Sequence, residues 1–354
     1  MASNATGRNG KVTAARIIGL VILILALTFV NNLDVFLGHT NEPVANYSAS
    51  SLDVYFFDVG QADSILLMTD DKVMLVDTGN AGDAAMDYNV KDKINLSHEL
   101  KRLGVNKIDV LVATHPHEDH MGSMYKIIEM FDVKDLYSNS ILPESQQTGY
   151  YKRFVSALEE SDTHLITPTT LSEEEIKAKV EAYNQGLPEE EKVVYNPNDY
   201  IRVGDEIPFG NAKVTMLAPN ASKYSDTNDY SIVLMVEFEG VKLLLTGDAG
   251  KLSEKEMLKY AAENDFDLKA DILKVGHHGS RTANTEEFIA KVQPSHSIMM
   301  VGKDNSYGLP DEDVIERLEK HGSVIYQTQD AGDVKLTIND GKYAFDLDFA
   351  HEEK

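Results

Sequence analysis

Three histidines and an aspartate fall within six residues of THPHEDHMG, residues 114–122. They follow IDVLVA, an apolar run that reads as a buried strand. Neutral imidazole and carboxylate are the ligands that a borderline-soft divalent cation takes. Four such groups on one turn repel one another or go unsatisfied unless something holds them. The stretch therefore points to a metal site built on His115, His117, Asp119 and His120. Three other places share this character. LVDTG sets Asp77, LLLTGD sets Asp248, and GHHGS sets His277 and His278 at the ends of apolar runs and beside glycines. Acids and imidazoles at strand C-termini are what a site on the edge of a sheet needs, and glycine lets backbone approach a ligand closely. Taken singly, each of these three also fits a turn or a helix cap. The H-x-H-x-D-H stretch raises them together.

The elements that must position these residues alternate along the chain. LDVYFFD (52–58), SILLM (64–68) and KVMLVD (72–77) read as short strands between turns. Helical spacing appears at 92–104, which ends at a glycine, and at 123–131, 150–161 and 172–186, with Ser172 as N-cap. YSIVLMVEFEGVKLLLTGD (230–248) reads as a hairpin turning near Glu239-Gly240. Further helices are expected near 253–263, 284–292 and 311–321, strands at 271–275 and 297–301, and a last strand pair around YAFDLDF. Hairpins followed by helices, twice over, predict two β layers with helices outside. The rhythm breaks between about 140 and 200, which predicts an insertion in a domain spanning 52–349.

Composition narrows the chemistry. The chain has 354 residues and no cysteine, so thiolate metal sites and disulfides are excluded. The formal net charge of −25 repels polyanions at long range, so any nucleic-acid contact must be local. The EEE runs at 173–175 and 189–191 read as solvated helix faces. The first forty residues differ from the rest. A basic tail (1–16) with Arg8, Lys11 and Arg16 precedes IIGLVILILALTFV, and no acid occurs before Asp34. That order is the order of an export signal. With its flanks, the segment 17–38 is expected to be an uncleaved signal-anchor, with a cleaved signal peptide as the alternative. A polar linker (39–51) follows, and the positive-inside rule places the rest of the chain outside the membrane.

The sequence also resembles a known family. H-x-H-x-D-H after a strand, a later Asp and a later His are marks of the metallo-β-lactamase fold. FFDVGQADSILL, LVDTG, THPHEDHMG, TNDYSIVL, LLLTGD, ILKVGHHGS and NSYGLP occur in the order seen in the extracellular nuclease-like domain of ComEC-type competence proteins. The resemblance covers about residues 52–340, less the insertion. It implies an αββα sandwich, two divalent ions (Zn²⁺ or Mn²⁺) and hydrolysis of a phosphodiester, DNA or an envelope polymer such as a phosphocholine-decorated teichoic acid. A non-catalytic metal-binding module is the remaining alternative.

By the resemblance, His115 and His117 hold one ion, Asp119 and His120 the second, and Asp248 bridges them. One of His277 and His278 completes the second site, with His278 favoured. His277 then contacts substrate, and Asp119 takes a proton and passes it to the leaving group. Asp77 orients a ligand histidine, while Asp58, Gln61, Asp63, Asn228 and Ser231 shape the site from loops. Relatives supply a further histidine to the first ion. In that interval this chain offers only His164, inside the expected insertion. Two departures stand out. Whole competence proteins carry a many-helix channel, where this chain has one candidate span. The usual Gly-His-Pro is here Gly308-Leu309-Pro310.

Overall fold

Strands whose side chains are buried on both faces set the architecture. In β1 (Ser51–Phe56), Leu52, Val54 and Phe56 enter one apolar cluster while Tyr55 enters another. This two-sided burial is what a sheet covered on both faces requires. The computed structural model describes residues 51–84 and 95–347. Among them, β2 (Ile65–Met68), β3 (Val73–Val76), β4 (Lys107–Ala113), β5 (Asp132–Ser138), β6 (His164–Pro168) and β7 (Tyr200–Ile201) extend the first sheet. β8 (Glu206–Phe209), β9 (Ala212–Ala218), β10 (Val233–Phe238), β11 (Val241–Leu245), β12 (Ile272–Lys274), β13 (His296–Met299) and β14 (Val324–Gln327) form the second. β15 (Val334–Asn339) and β16 (Lys342–Asp346) return to the first. The strand orders are β16-β15-β1-β2-β3-β4-β5-β6-β7 and β14-β13-β12-β11-β10-β9-β8.

Helices cover the outer faces. α1 (Leu96–Arg102), α2 (Glu118–Met121), α3 (Met124–Met130) and α4 (Gly149–Glu159) belong to the first half. α5 (Glu173–Asn184) is the exposed exception, with only Ile176 buried. α6 (Lys251–Glu263), α7 (Glu286–Val292) and α8 (Glu312–Lys320) lie on the second half. Three apolar clusters define the layers. One lies between the sheets and joins Val54, Leu67 and Val112 to Met216, Leu234 and Leu243. A second joins Leu66 and Leu111 to Leu100, Ile127 and Phe154 of the first helix layer. The third joins Leu244 and Leu273 to Met257, Phe288 and Leu318 of the other layer. The arrangement is the expected αββα sandwich.

The two halves present strand ends to a common edge. β3, β4 and β5 run parallel, with Val76 opposite Val112. β11, β12 and β13 also run parallel, with Leu245 opposite Lys274. The expected hairpin is β10–β11, closed by Glu239 and Gly240, both at positive φ, the geometry of a primed two-residue turn. Ser172 caps α5 in a capping box with Glu175.

The stretch expected as an insertion, about 140–200, holds α4, β6 and α5. α4 buries Tyr151, Phe154 and Ala157 in the helix layer, and β6 pairs in parallel with β5. α4 shares its apolar cluster with α3, and β6 adds a parallel strand to β5. The exposed part is the α5 stretch that follows them. The basic tail at 1–16, the segment at 17–38 and the linker up to residue 50 lie outside the described residues. Among the described residues, no helix is long and apolar enough to cross a membrane.

Candidate metal centre

Each half of the sandwich delivers ligands from loops that leave its strands. The chain exits β4 through Thr114 into His115, and His117 caps α2, which carries Asp119 and His120. Asp77 follows β3, Asp248 follows β11, and His277 and His278 follow β12. Asp77, His277 and His278 have φ of 60°, 49° and 50°. Side chains rarely adopt this left-handed region, and such outliers gather where function over-determines the backbone.

Ligand atoms of Asp119, His120, Asp248 and His278 lie within 4.8 Å of one another. His278 Nε2 is 3.3 Å from Asp119 and 3.6 Å from Asp248, and His120 Nε2 is 3.2 Å from Asp248. His120 Nδ1 donates to Asp77 Oδ2 at 2.7 Å, and His278 Nδ1 donates to the Met300 carbonyl at 2.8 Å. Each outer nitrogen is therefore spoken for, and each Nε2 faces the cluster as a neutral ligand would. Thr114 holds Asp77 in turn, through its amide at 2.9 Å and its hydroxyl at 2.8 Å. The inner atoms His120 Nε2, His278 Nε2 and Asp248 Oδ1 are shut off from solvent and make no hydrogen bond. Buried polar atoms are almost always partnered. Orphans that converge, all of ligand type, fit a divalent cation.

His115 and His117 belong to the same centre at its other side. His115 Nε2 lies 2.9 Å from His117 Nδ1 and 4.0 Å from Asp248 Oδ2. Asp248 thus stands between the two imidazole pairs. His277 Nε2 is 3.7 Å from Asp248, while its Nδ1 meets the Thr282 hydroxyl at 2.8 Å. His277 is less buried than His278 and lines the cavity over the centre. That cavity, about 330 Å³, is also lined by Gln61, Asn228, Tyr307 and Leu309.

The loop residues divide. Ser231 Oγ accepts from the Asp248 amide at 3.1 Å and lies 3.4 Å from His115 Nδ1. Gln61 Oε1 accepts from the Gly302 amide at 3.1 Å, tying two loops of the rim together. Asp63 is fully buried 3.4 Å from His278 Nδ1 and forms a second ligand-type group with Asp77 and His120. Asp58 is spent on its own turn, where it accepts from the Gly60 amide at 3.2 Å. His164 is not brought to the centre. It opens β6, at the strand end opposite the ligand loops, and its ring nitrogens meet Asp135 at 3.2 Å and Asp199 at 2.9 Å. Of the residues considered for the first ion, it is the one the strand register removes.

One site residue escaped the sequence reading. Lys274 ends β12 and is fully buried, ion-paired with Asp63, 3.7 Å from Asp248 and donating to the Gly247 carbonyl at 2.9 Å. Its signal was a lysine inside the apolar run ILKV, since a buried lysine needs a partner.

Charges shift accordingly. Burial disfavours charge on His120 and His278, but Asp248, joined by Asp77 and Asp63 respectively, outweighs it. His120 is pushed well above its usual range and His278 up to about 10. Burial, reinforced by the neighbouring His120, holds His115 well below its usual value. Burial opposes ionisation of Asp248, yet His120 and His278 keep its carboxyl well below the ordinary value.

Residues 57–303 match the family model of the metallo-beta-lactamase superfamily. The chain is 28% identical over 298 residues to ComE operon protein 3 of Bacillus subtilis, covering 81% of this chain and 33% of that protein. It is 25% identical over 285 residues to Recombination protein 2 of Haemophilus influenzae, covering 79% of this chain and 28% of that one. The chain thus spans about a third of the length of these relatives. Among solved structures, CmlA, a diiron β-hydroxylase from Streptomyces venezuelae, is similar with a TM-score of 0.48 at 13% identity, over 88% of this chain and 60% of that one.

Proposed function

This chain belongs to the metallo-beta-lactamase superfamily, and on that premise we propose that it hydrolyses phosphodiester bonds of nucleic acid outside the cytoplasmic membrane. The carrying observation is the set of orphaned inner atoms on His120, His278 and Asp248, each oriented by an outer partner. Relatedness to a protein named for recombination supports nucleic acid as the substrate class.

His115, His117, Asp119, His120, Asp248 and His278 would hold two divalent ions, Zn²⁺ or Mn²⁺. When bound, such ions activate water and neutralise charge on a phosphoryl oxygen. The chain's own groups do the rest. Asp77 and the Met300 carbonyl fix the imidazoles. Asp119, whose carboxyl lies below its ordinary value because His278, 3.3 Å away, and nearby His120 outweigh its burial, accepts a proton and returns it to the leaving oxygen. His277, at the cavity wall, donates to a substrate oxygen. Tyr307, 76% exposed at the rim, offers a face on which a base stacks.

A second reading, a phosphodiesterase acting on envelope polymers such as phosphocholine-decorated teichoic acid, is favoured by the net charge of −25 and by Leu309 in place of the histidine of the Gly-His-Pro motif that this stretch resembles. One experiment separates them. The chain, loaded with Mn²⁺ or Zn²⁺, is incubated with end-labelled single-stranded DNA beside an Asp119→Ala, His120→Ala double variant. Metal-dependent cleavage lost in the variant is the expected result. A metal-loaded protein that leaves DNA intact overturns nucleic acid as substrate and turns the search to envelope phosphodiesters.

A further inference from the structure

Resting on the hydrolase reading above, we propose that Asn228 supplies a side-chain oxygen ligand to the first metal position, the one that His115 and His117 hold. Two imidazoles and the shared Asp248 leave that position short of a ligand. His164 does not fill it, because both its ring nitrogens are engaged by Asp135 and Asp199. Asn228 lines the same cavity as His117 and Asp248. Its Oδ1 is shut off from solvent and accepts no hydrogen bond, as with the inner atoms of His120, His278 and Asp248. Glu118 also lines the cavity, but its side chain is exposed.

The turn that carries Asn228 is fixed, which a ligand requires. Asp226 Oδ1 accepts from the Asn228 amide at 3.0 Å, and the Asn228 carbonyl accepts from the Ser231 amide at 3.0 Å. Ser231 is in turn bonded to the Asp248 amide at 3.1 Å and sits 3.4 Å from His115. The turn is therefore tied to the bridging carboxylate on one side and to a ligand imidazole on the other. An amide oxygen in place of a third imidazole hardens the donor set. Oxygen donors suit Mn²⁺, whereas imidazole suits Zn²⁺. The first position is thus expected to accept Mn²⁺ more readily than a site of three imidazoles would, with the same balance of two imidazoles and two oxygens as the second position.

The test counts metal rather than turnover. The full chain and its Asn228→Ala and Asn228→Asp variants are titrated with Mn²⁺ against a competing chelator, with bound metal counted by mass spectrometry. Wild type is expected to take two equivalents. In Asn228→Ala the weaker equivalent loses at least about ten-fold in affinity while the tighter one is unchanged. Asn228→Asp restores it, because an oxygen returns to the same place. Two unchanged equivalents in Asn228→Ala, or a failure of Asn228→Asp to restore the lost one, overturn the assignment and leave the metal centre standing. A wild-type chain that binds one equivalent also overturns it. A chain that binds none overturns the hydrolase reading as well, so the two failures are distinct.

Discussion

Asp77 touches the proposed ions only through His120, yet its carboxylate sets which imidazole nitrogen faces inward. Its other contacts, both to Thr114, lock its own direction. In Asp77→Asn an N–H donor meets the His120 Nδ1–H, and the imidazole loses its anchor. Such outer partners are worth about 10–100-fold in metal affinity. Chelator competition is expected to show a loss of that size with the fold retained, and unchanged affinity would remove Asp77 from this role. Lys274 makes the complementary case. It is the permanent cation beneath Asp63 and Asp248, and Lys274→Met leaves both carboxylates buried without it. Breaking a buried pair costs about 3–5 kcal/mol. Urea unfolding of the metal-free protein should show a loss of that order. Bound metal restores positive charge beside Asp248, so the deficit should shrink in the loaded protein. An equal deficit in both states would argue that Lys274 acts by packing alone.

At the scale of elements, the site depends on how α2 sits against the loop after β3. The Thr78 amide donates to the His120 carbonyl at 2.6 Å, and the Gly122 amide donates to Gly79 at 3.0 Å. A Cβ on Gly122 would fall inside the backbone of Asn80–Ala81 and against the Glu118 carbonyl. None of these is the movable end of a side chain, so the helix itself must shift. Gly122→Ala is expected to cost about 1–3 kcal/mol or more and to carry Asp119 and His120 out of place. Thermal unfolding together with metal content checks this, and a variant with wild-type values for both would show that the loop yields. Several elements were legible in the sequence because their periodicity was long or their turns marked. The β10–β11 hairpin and the capped α5 are examples. The β8–β9 pair was not, since Pro208 interrupts a short run whose strand character comes only from its neighbours. β5 and β6 escaped for a similar reason: β6 is half-exposed along most of its length and lies near the sheet edge.

The whole molecule carries its chemistry on a strongly acidic body. With a formal charge of −25, the chain repels a long polyanion at long range. Repulsion of that range is screened as the Debye length falls to about 10 Å at 0.1 M salt. Cleavage of long DNA at subsaturating concentration should therefore hold steady or rise as monovalent salt increases from low values, while a short dinucleotide-type substrate responds less. A steep fall with salt would instead reveal a cationic track that binds phosphates along the strand, and would count against this electrostatic picture.

What the sequence by itself determined was chemical. H-x-H-x-D-H after an apolar strand, with acids and imidazoles at the ends of other apolar runs, named the ligand types and the strand ends that bear them. Those signals are local, set by residue type and by the two-residue period of a strand. Only the tertiary structure decided which groups meet. It gave His278 the inward nitrogen by lending its other one to Met300, sent His164 to the far end of the sheet, and brought Lys274 beneath Asp248. Such choices depend on strand register and on the packing of two sheets, which join residues such as Asp77 and Asp248 across long stretches of chain that no local pattern spans.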